Sequence, residues 1–401
     1  MENWQTTRVI EMRNKSCLIL LLIAFAAFLA AGCAQITTAP AGNAVKQDEP
    51  FKIGFVTALS GPGVSWGECE LNSARLAVDE VNAKGGVLGR PLELVVEDGK
   101  CSGKDASIAV NKLVNVDGIK VVLGGSCSSE TLAMAPITEN NKVLLITGMS
   151  SNPQISDAGE YIFRLIPTDE DLFRPQARWT YDELGYRKVA VLVENTDYCL
   201  TARKAFVEEF ESLGGTVSSI QTAGPDERDY RSYLTKIKAS APEAVVIIPQ
   251  TPLTGGLMAK QLKELWPEAK IVGGYTMESD DAIKASEGAL NGAVVFTLSS
   301  EIPTGKETIA AYKAKYGKEP LDNFIPLESR DRVFIVAQAI EFCKGLDAEC
   351  MKDYIYRTKF NLSIGKYGFN SKGDIDLIYT ATYNIENSTR HLTGTMTVTK
   401  S

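Results

Sequence analysis

The chain has 401 residues, which is too long for one ordinary domain and enough for two. Hydrophobic residues make up 44% and charged residues 23%, as in ordinary soluble globular proteins. The formal net charge of −8 argues against nucleic acids and anionic membrane surfaces as partners.

The N-terminus has the pattern of an export signal. Arg13 and Lys15 precede an apolar run over 17–31, which is shorter than the roughly 20 residues that a membrane-spanning helix needs. Translation starts at Met1 or Met12, since residues 1–11 add nothing to such a signal.

The apolar run ends in a lipobox-like sequence, Leu29 to Cys33. We therefore expect residues 1–32 to be removed and Cys33 to receive lipid. The alternative is an uncleaved anchor helix, which also leaves the protein on the outer face of a membrane. Residues 33–50 are rich in Ala, Thr, Pro, Gly and Gln, which predicts a flexible tether.

From residue 52 onward, short apolar strands alternate with amphipathic helical patterns, which predicts parallel βαβ units with helices on both faces. The first half has strands at Ile53–Leu59, Leu92–Val96, Val121–Leu123 and Val143–Thr147, and helices near 74–81, 105–116 and 129–139. The pattern then repeats, with strands at Val189–Val193, Ala244–Ile248, Ile271–Val272 and Ala293–Thr297, and helices near 200–213, 230–240 and 255–265. The region 305–358 is mostly helical, and β-type residues return over 375–398.

Ligands of open parallel sheets bind beyond the carboxyl ends of the strands, so two such sheets that face each other make a cleft. The loops at those ends are 60–67, 98–103, 125–130, 148–153, 195–200, 249–255 and 274–280.

Two of these loops carry serines. Gly124 and Gly125 lead from a strand into a helix that begins near Ser128, where unpaired amides and a hydroxyl suit a carboxylate. Ser128 is equally explained as the cap of its own helix. In the second loop, Ser150 and Ser151 precede Asn-Pro, and an ordinary turn is the alternative there.

Taken together, the segments resemble the type I periplasmic solute-binding proteins of branched-chain amino acid ABC transporters, the Leu/Ile/Val-binding group. The resemblance runs from about Lys52 to Thr397 and rests on Leu59–Pro62, Trp66-Gly67, Ala77–Gly86, Gly89–Asp98, the two serine loops, Phe163-Arg164 and the Tyr198 segment. It implies an α/β fold of two Rossmann-like lobes joined by a three-stranded hinge. Lobe I would comprise 51–169 and 298–377, and lobe II 170–297 and 378–401.

The resemblance also implies roles for individual residues. Ser128 would bind the carboxylate of the ligand. Ser151 would bind carboxylate and ammonium together, with backbone help near Met149 and Ser150. Trp66 would pack on the ligand side chain.

The second lobe supplies the closing residues in such proteins. Tyr198 would close over the ligand. Two positions depart from the family pattern: Tyr275 occupies the place of the ammonium-binding acid, with Glu278 three residues on, and Cys199 replaces a glycine. Because an unpaired buried ammonium is costly, either Glu278 turns inward or the ligand lacks a standard α-ammonium.

Six cysteines remain after Cys17 and Cys33 are set aside, and an exported protein can form disulfides. Cys101 and Cys127 match a disulfide of the relatives, and Cys343 and Cys350 would close a short loop. Cys69 and Cys199 are left as free thiols or as a bond across the cleft.

The enzyme interpretations lack support. The segment over 125–128 has no nucleophile-elbow spacing, and His391 is the single histidine of the chain. We therefore expect a monomeric, non-enzymatic binding protein with no cofactor, lipid-anchored on the extracytoplasmic face, that passes an amino acid to a transporter permease. A sensory module, or an amide, urea-like or aromatic-acid solute, is the alternative.

Overall fold

The computed structural model describes residues 49–61, 63–299 and 303–399. The predicted signal peptide, Cys33 and nearly all of the tether lie outside these residues.

The strands are Phe51–Thr57 (β1), Leu92–Asp98 (β2), Val121–Gly124 (β3), Leu144–Thr147 (β4), Ile162–Arg164 (β5), Lys188–Glu194 (β6), Thr216–Ala223 (β7), Ala244–Ile248 (β8), Ile271–Gly273 (β9), Val294–Leu298 (β10), Phe360–Leu362 (β11), Gly365–Tyr367 (β12), Leu377–Glu386 (β13) and Thr389–Thr399 (β14).

The α-helices are Val64–Ala83 (α1), Gly103–Asn111 (α2), Ser128–Asn140 (α3), Asp169–Asp182 (α4), Asp197–Ser212 (α5), Arg231–Ala239 (α6), Pro252–Leu265 (α7), Asp280–Ala285 (α8), Lys306–Tyr316 (α9), Phe324–Cys343 (α10) and Ala348–Arg357 (α11). Shorter helical turns cover Lys112–Val116, Pro153–Asp157, Tyr275–Met277 and Pro303–Gly305.

Two large sheets organise the described residues, and β11 and β12 form a separate two-stranded sheet. The first has the order β2-β1-β3-β4-β5 and is parallel throughout. The second has the order β14-β13-β10-β9-β8-β6-β7, in which only the pairs of β13 are antiparallel. The predicted α/β class with parallel sheets flanked by helices is therefore confirmed.

The burial of the central strands explains why they could be predicted from the sequence. All five residues of β8 are buried, as expected of a parallel strand covered by helices on both faces. The edge strand β7 has a mixed polar sequence and is only partly buried, and it was not predicted. The three-residue β5 and the helix α4, which contains Pro175, were also missed.

The chain passes between the two sheets three times, after β5, after β10 and before β13. The buried Arg164 guanidinium ties two of these segments together. Its Nη1 donates to Asn152 O at 2.7 Å and its Nε donates to Asp374 Oδ1 at 3.0 Å. The lobe boundaries stay a prediction.

Candidate functional site

The two serine loops lie side by side at the carboxyl edge of the first sheet. Thr147 Oγ1 and Ser150 Oγ both donate to Gly125 O, each at 3.0 Å. Asn152 N donates to Ser128 Oγ at 3.3 Å. Both loops are thereby held in one rigid unit.

A glycine is required where the first loop leaves its strand. Gly124 has φ +139°, and a Cβ atom there would lie 2.0 Å from Val56 O. The absence of a side chain lets the loop pass close to β1, which brings the start of α3 to the edge of the sheet.

Ser128 is the first residue of α3 and is buried. Because its oxygen accepts from Asn152 N, its own proton is available to donate to a ligand, beside the unpaired amides of the helix N-terminus. The Ser150 hydroxyl, in contrast, is engaged within the loops, 2.7 Å from Thr131 Oγ1.

Three polar side-chain atoms next to this edge are buried without a hydrogen bond of good geometry among the described residues: Ser151 Oγ, Asp169 Oδ1 and Tyr198 OH. Their neighbours are one another and Tyr275, since Ser151 acts on the pKa values of both Asp169 and Tyr275. Asp169 N donates to Ser151 O at 2.8 Å, which fixes the start of α4 beside the second serine loop. A buried polar atom left unpaired costs about 1–3 kcal/mol. The group is therefore suited to a ligand that both donates and accepts hydrogen bonds.

Asp169 supplies the carboxyl group among the three side chains Ser151, Asp169 and Tyr198. Burial raises the pKa of Asp169 to about 7, and the Ser151 and Thr201 hydroxyls partly offset that rise. Thr201 Oγ1 donates to Asp169 Oδ2, so Oδ1 is the oxygen left for a ligand. An ammonium group placed there would satisfy it.

Two tyrosines cover the same place from the side of the second sheet. The rings of Tyr198 and Tyr275 lie 5.5 Å apart at 60°, and the ring of Phe173 lies 6.1 Å from Tyr198. Burial, followed by the neighbouring Tyr275, raises the pKa of Tyr198 well above its usual value, so its hydroxyl stays a donor.

An apolar cluster adjoins the serine loops. Trp66 and Met149 are both buried and pack with the cluster Cys69, Cys127, Tyr312 and Ile325. The structure thus brings together the aromatic residue of the first loop and the residue that precedes the two serines.

Contacts between loops of the two sheets close the site. Asn152 Nδ2 donates to Asp197 O at 2.9 Å, and Gln250 Nε2 lies 3.7 Å from Cys127 Sγ. Asn152 and Cys127 belong to loops of the first sheet, and Asp197 and Gln250 follow strands of the second.

A profile described as periplasmic binding protein matches residues 50–376. The chain belongs to the periplasmic binding protein family. Membership of this family implies an extracytoplasmic location. Among the described residues, we find no helix with the length and apolar character needed to span a bilayer.

Curated relatives of this periplasmic binding protein carry names that state their ligands. A leucine-, isoleucine-, valine-, threonine- and alanine-binding protein of Pseudomonas aeruginosa is 28% identical over 356 residues, which are 88% of this chain and 92% of the relative. The Leu/Ile/Val-binding protein of Escherichia coli K12 is 27% identical over 290 residues, or 72% of this chain and 77% of the relative.

Solved structures share the fold. The leucine-binding protein LivK of Thermotoga maritima has a TM-score of 0.79 and 24% identity over 86% of this chain and 98% of its own. A solute-binding protein of Rhodopseudomonas palustris in complex with benzoate has a TM-score of 0.80 and 15% identity over 88% of this chain and 98% of its own.

Glu278 is buried near Asp322, and its role in the site stays a prediction. Burial, together with the charge of Asp322, raises the pKa of Glu278 to about 8, and the other groups that act on it include Arg390 and Thr297. A further acid, Asp169, lies next to Ser151, and the sequence pattern alone did not predict it. Its signal was Thr168 with Asp171 three residues on, which caps a helix that begins at Asp169.

The six cysteines within the described residues of this binding protein form two disulfides, Cys101–Cys127 and Cys343–Cys350, and leave Cys69 and Cys199 as buried free thiols. The first disulfide lies directly before Ser128. Among residues 49–61, 63–299 and 303–399, no group of His, Cys, Asp or Glu side chains is arranged to hold a metal ion.

Proposed function

We propose that this periplasmic binding protein captures an α-amino acid, branched-chain or related, and delivers it to the permease of an ABC transporter. The names of the curated relatives support this solute class. The polar groups of the site support it independently, because they suit a zwitterion.

One observation carries the proposal: an acceptor and two donors, all buried and without a hydrogen bond of good geometry, lie next to a helix N-terminus. Ser128, Ser151 and the first amides of α3 would take the solute carboxylate. Asp169 Oδ1 would bind the ammonium. Asp169 would thereby supply the acid that the family has at the position of Tyr275. Removal of water from the closed site strengthens each of these hydrogen bonds.

The remaining predicted residues have roles around that zwitterion. Trp66 and Met149 would contact the solute side chain, and Tyr198 with Tyr275 would cover it. Closure is a shift between open and closed populations, which the ligand drives by its better contacts in the closed form. Glu278 has no role in this proposal.

An aromatic acid is the second candidate solute. Two observations favour it: the paired rings of Tyr198 and Tyr275, and the fold shared with a benzoate-bound protein. Asp169 distinguishes the two solutes, because a benzoate has no ammonium to pair with it. An ionised Asp169 would repel a second carboxylate at that position.

A calorimetric panel of amino acids, amides, urea and hydroxybenzoates tests the proposal on the wild type, on Asp169→Asn and on Asp182→Asn. Asp182 is an exposed aspartate at the other end of α4, which makes it a matched control. We expect at least one amino acid to bind, with an affinity about 10–100-fold weaker in Asp169→Asn and unchanged in Asp182→Asn. Binding of a hydroxybenzoate alone, unweakened by Asp169→Asn, would establish the second candidate instead.

We further propose that the protein acts as a monomer tethered through lipid at Cys33. Mass spectrometry of the membrane-bound protein should show a chain that begins at a lipid-modified Cys33, whereas a chain that retains residues 1–32 would contradict this proposal. Permease and ATPase genes beside its own gene would support transport, whereas regulator genes there would support a sensory module.

A further inference from the structure

A cluster of three charged side chains is buried beneath the proposed carboxylate site. Glu70 on α1 and Glu328 and Arg332 on α10 are all fully buried. Arg332 Nη2 donates to Glu70 Oε1 at 2.8 Å, and Arg332 Nε lies 2.6 Å from Glu328 Oε2. We call these three residues the buried charge cluster.

One end of the cluster contacts the first serine loop. Glu70 Oε2 accepts hydrogen bonds from Ser126 Oγ and, at 2.9 Å, from Thr57 Oγ1. Ser126 Oγ in turn accepts from Ala58 N at 3.4 Å. Since Ser126 lies two residues before Ser128, Glu70 fixes the segment that leads into the helix N-terminus.

The other end supports the second serine loop. A Cβ atom at Gly148 would lie 1.6 Å from Glu328 Oε2, so the carboxyl group of Glu328 packs against the backbone of that residue. Gly148 begins the segment that continues to Ser151. Arg332 therefore links the supports of both loops.

Stability does not explain why charged residues occupy this place. Desolvation of buried ions opposes folding, and apolar residues of similar volume are often as stable or more so. Arg332 Nη1 is buried without a hydrogen-bond partner among the described residues, which adds to that cost. Burial, only partly offset by the Arg332 charge, also raises the pKa of Glu328.

We propose that Glu70, Glu328 and Arg332 are positioning residues that hold the two serine loops in the geometry that a solute carboxylate requires. The inference rests on the proposed function, because it concerns the loops that carry Ser128 and Ser151. None of the three residues is assigned a contact with the solute.

The test replaces all three charges at nearly constant volume, in the variant Glu70→Gln/Glu328→Gln/Arg332→Met. The control is Glu80→Gln/Arg330→Met, which removes an ion pair of 2.9 Å between the same two helices and away from the serine loops. Calorimetry with L-leucine as the probe gives the affinity. Hydrogen exchange of the ligand-free proteins gives the protection of amides over 125–128 and 148–152.

We expect the triple variant to bind L-leucine about tenfold more weakly, with a melting temperature close to that of the wild type. Amide exchange should accelerate in both loops, whereas the control should change neither quantity. Unchanged exchange in both loops would overturn the proposal, whatever the affinity. Failure of the wild type to bind any amino acid would reject the proposed function but leave the exchange result decisive for the positioning role.

Two single variants decide the question if the triple variant does not fold. Ser126→Ala should accelerate exchange most over 125–128, because it removes the link between Glu70 and the first loop. Glu328→Gln should accelerate exchange most over 148–152, with a smaller effect over 125–128, because the two loops are hydrogen-bonded to each other. Uniform acceleration along the whole chain in both variants would show a purely structural role and overturn the proposal.

Discussion

The clearest consequence of the buried Asp169 is that solute affinity should depend on pH. The pKa of Asp169 is raised to about 7 by burial, and an ammonium group bound beside Oδ1 would favour the ionised form. Binding of an amino acid should therefore release a proton wherever Asp169 is protonated in the free protein. Affinity should rise with pH up to about 7 and level off above it.

The magnitude follows from the pKa. If the pKa in the complex lies below 5, the dissociation constant at pH 6 should be about tenfold larger than at pH 8, and at pH 5 about 100-fold larger. The carboxyl and ammonium groups of the solute keep their charges over this window. An aromatic acid bound at the same place would show the opposite trend, because ionisation of Asp169 would repel it.

Isothermal calorimetry between pH 5 and pH 8, in buffers with different ionisation enthalpies, measures both the affinity and the number of protons released. Burial also brings the pKa values of Glu130 and Asp331 into or near this range, to about 7 and about 6. The difference between the wild type and Asp169→Asn isolates the contribution of Asp169. A wild-type affinity that stays constant from pH 5 to pH 8 would refute the reasoning.

The same carboxyl group should lower the stability of the ligand-free protein. Between about pH 4 and pH 7 the folded state binds more protons at Asp169 than the unfolded chain, so this contribution to stability declines as pH rises. The loss approaches about 4 kcal/mol above pH 7. Asp169→Asn should therefore melt at a higher temperature than the wild type at pH 8, with a smaller difference at pH 5.

Three further predictions concern the site and its supports. Ser128→Ala should weaken amino acid binding about 10–100-fold with little change in melting temperature, measured by calorimetry and thermal denaturation, and an unchanged affinity would reject its role. The variant Asn152→Asp retains the acceptor for Gln154 N but removes the donor to Asp197 O. Stopped-flow measurements should therefore show faster solute release. An unchanged release rate would exclude this contact as a determinant of closure. Replacement of both cysteines of the Cys101–Cys127 disulfide by serine should lower the free energy of unfolding by about 3 kcal/mol, and the same change in Cys343–Cys350 should lower it by about 2 kcal/mol. The first effect is larger because the first pair spans 26 residues and the second spans 7. Denaturant titration measures both losses, and a larger loss for Cys343–Cys350 would contradict the prediction.

Only some residues of the candidate site could be predicted from the sequence. Ser128 and Ser151 could be predicted as candidates because glycines, serines and a proline follow apolar strands, and such local patterns are visible in a linear chain. Asp169 was missed because its neighbours Ser151 and Thr201 are 18 and 32 residues away, and a single aspartate at a helix start has no distinctive local signal. The placement of Glu278 beside Asp322 depends on the packing of segments 44 residues apart.

The amino-acid sequence by itself determined the α/β class, because buried parallel strands require uninterrupted apolar runs and the helices between them show the helical period. It also showed which loops lie at the carboxyl ends of those strands. Only the tertiary structure decided which polar groups meet there, namely Asp169 with Ser151 and Tyr198, and Arg332 with Glu70 and Glu328. Hydrogen bonds and charge pairs act over a few ångströms in space, whereas Ser151 and Asp169 are 18 positions apart in the chain and Glu70 and Arg332 are 262 apart. Only Glu328 and Arg332 among these residues are neighbours on one helix.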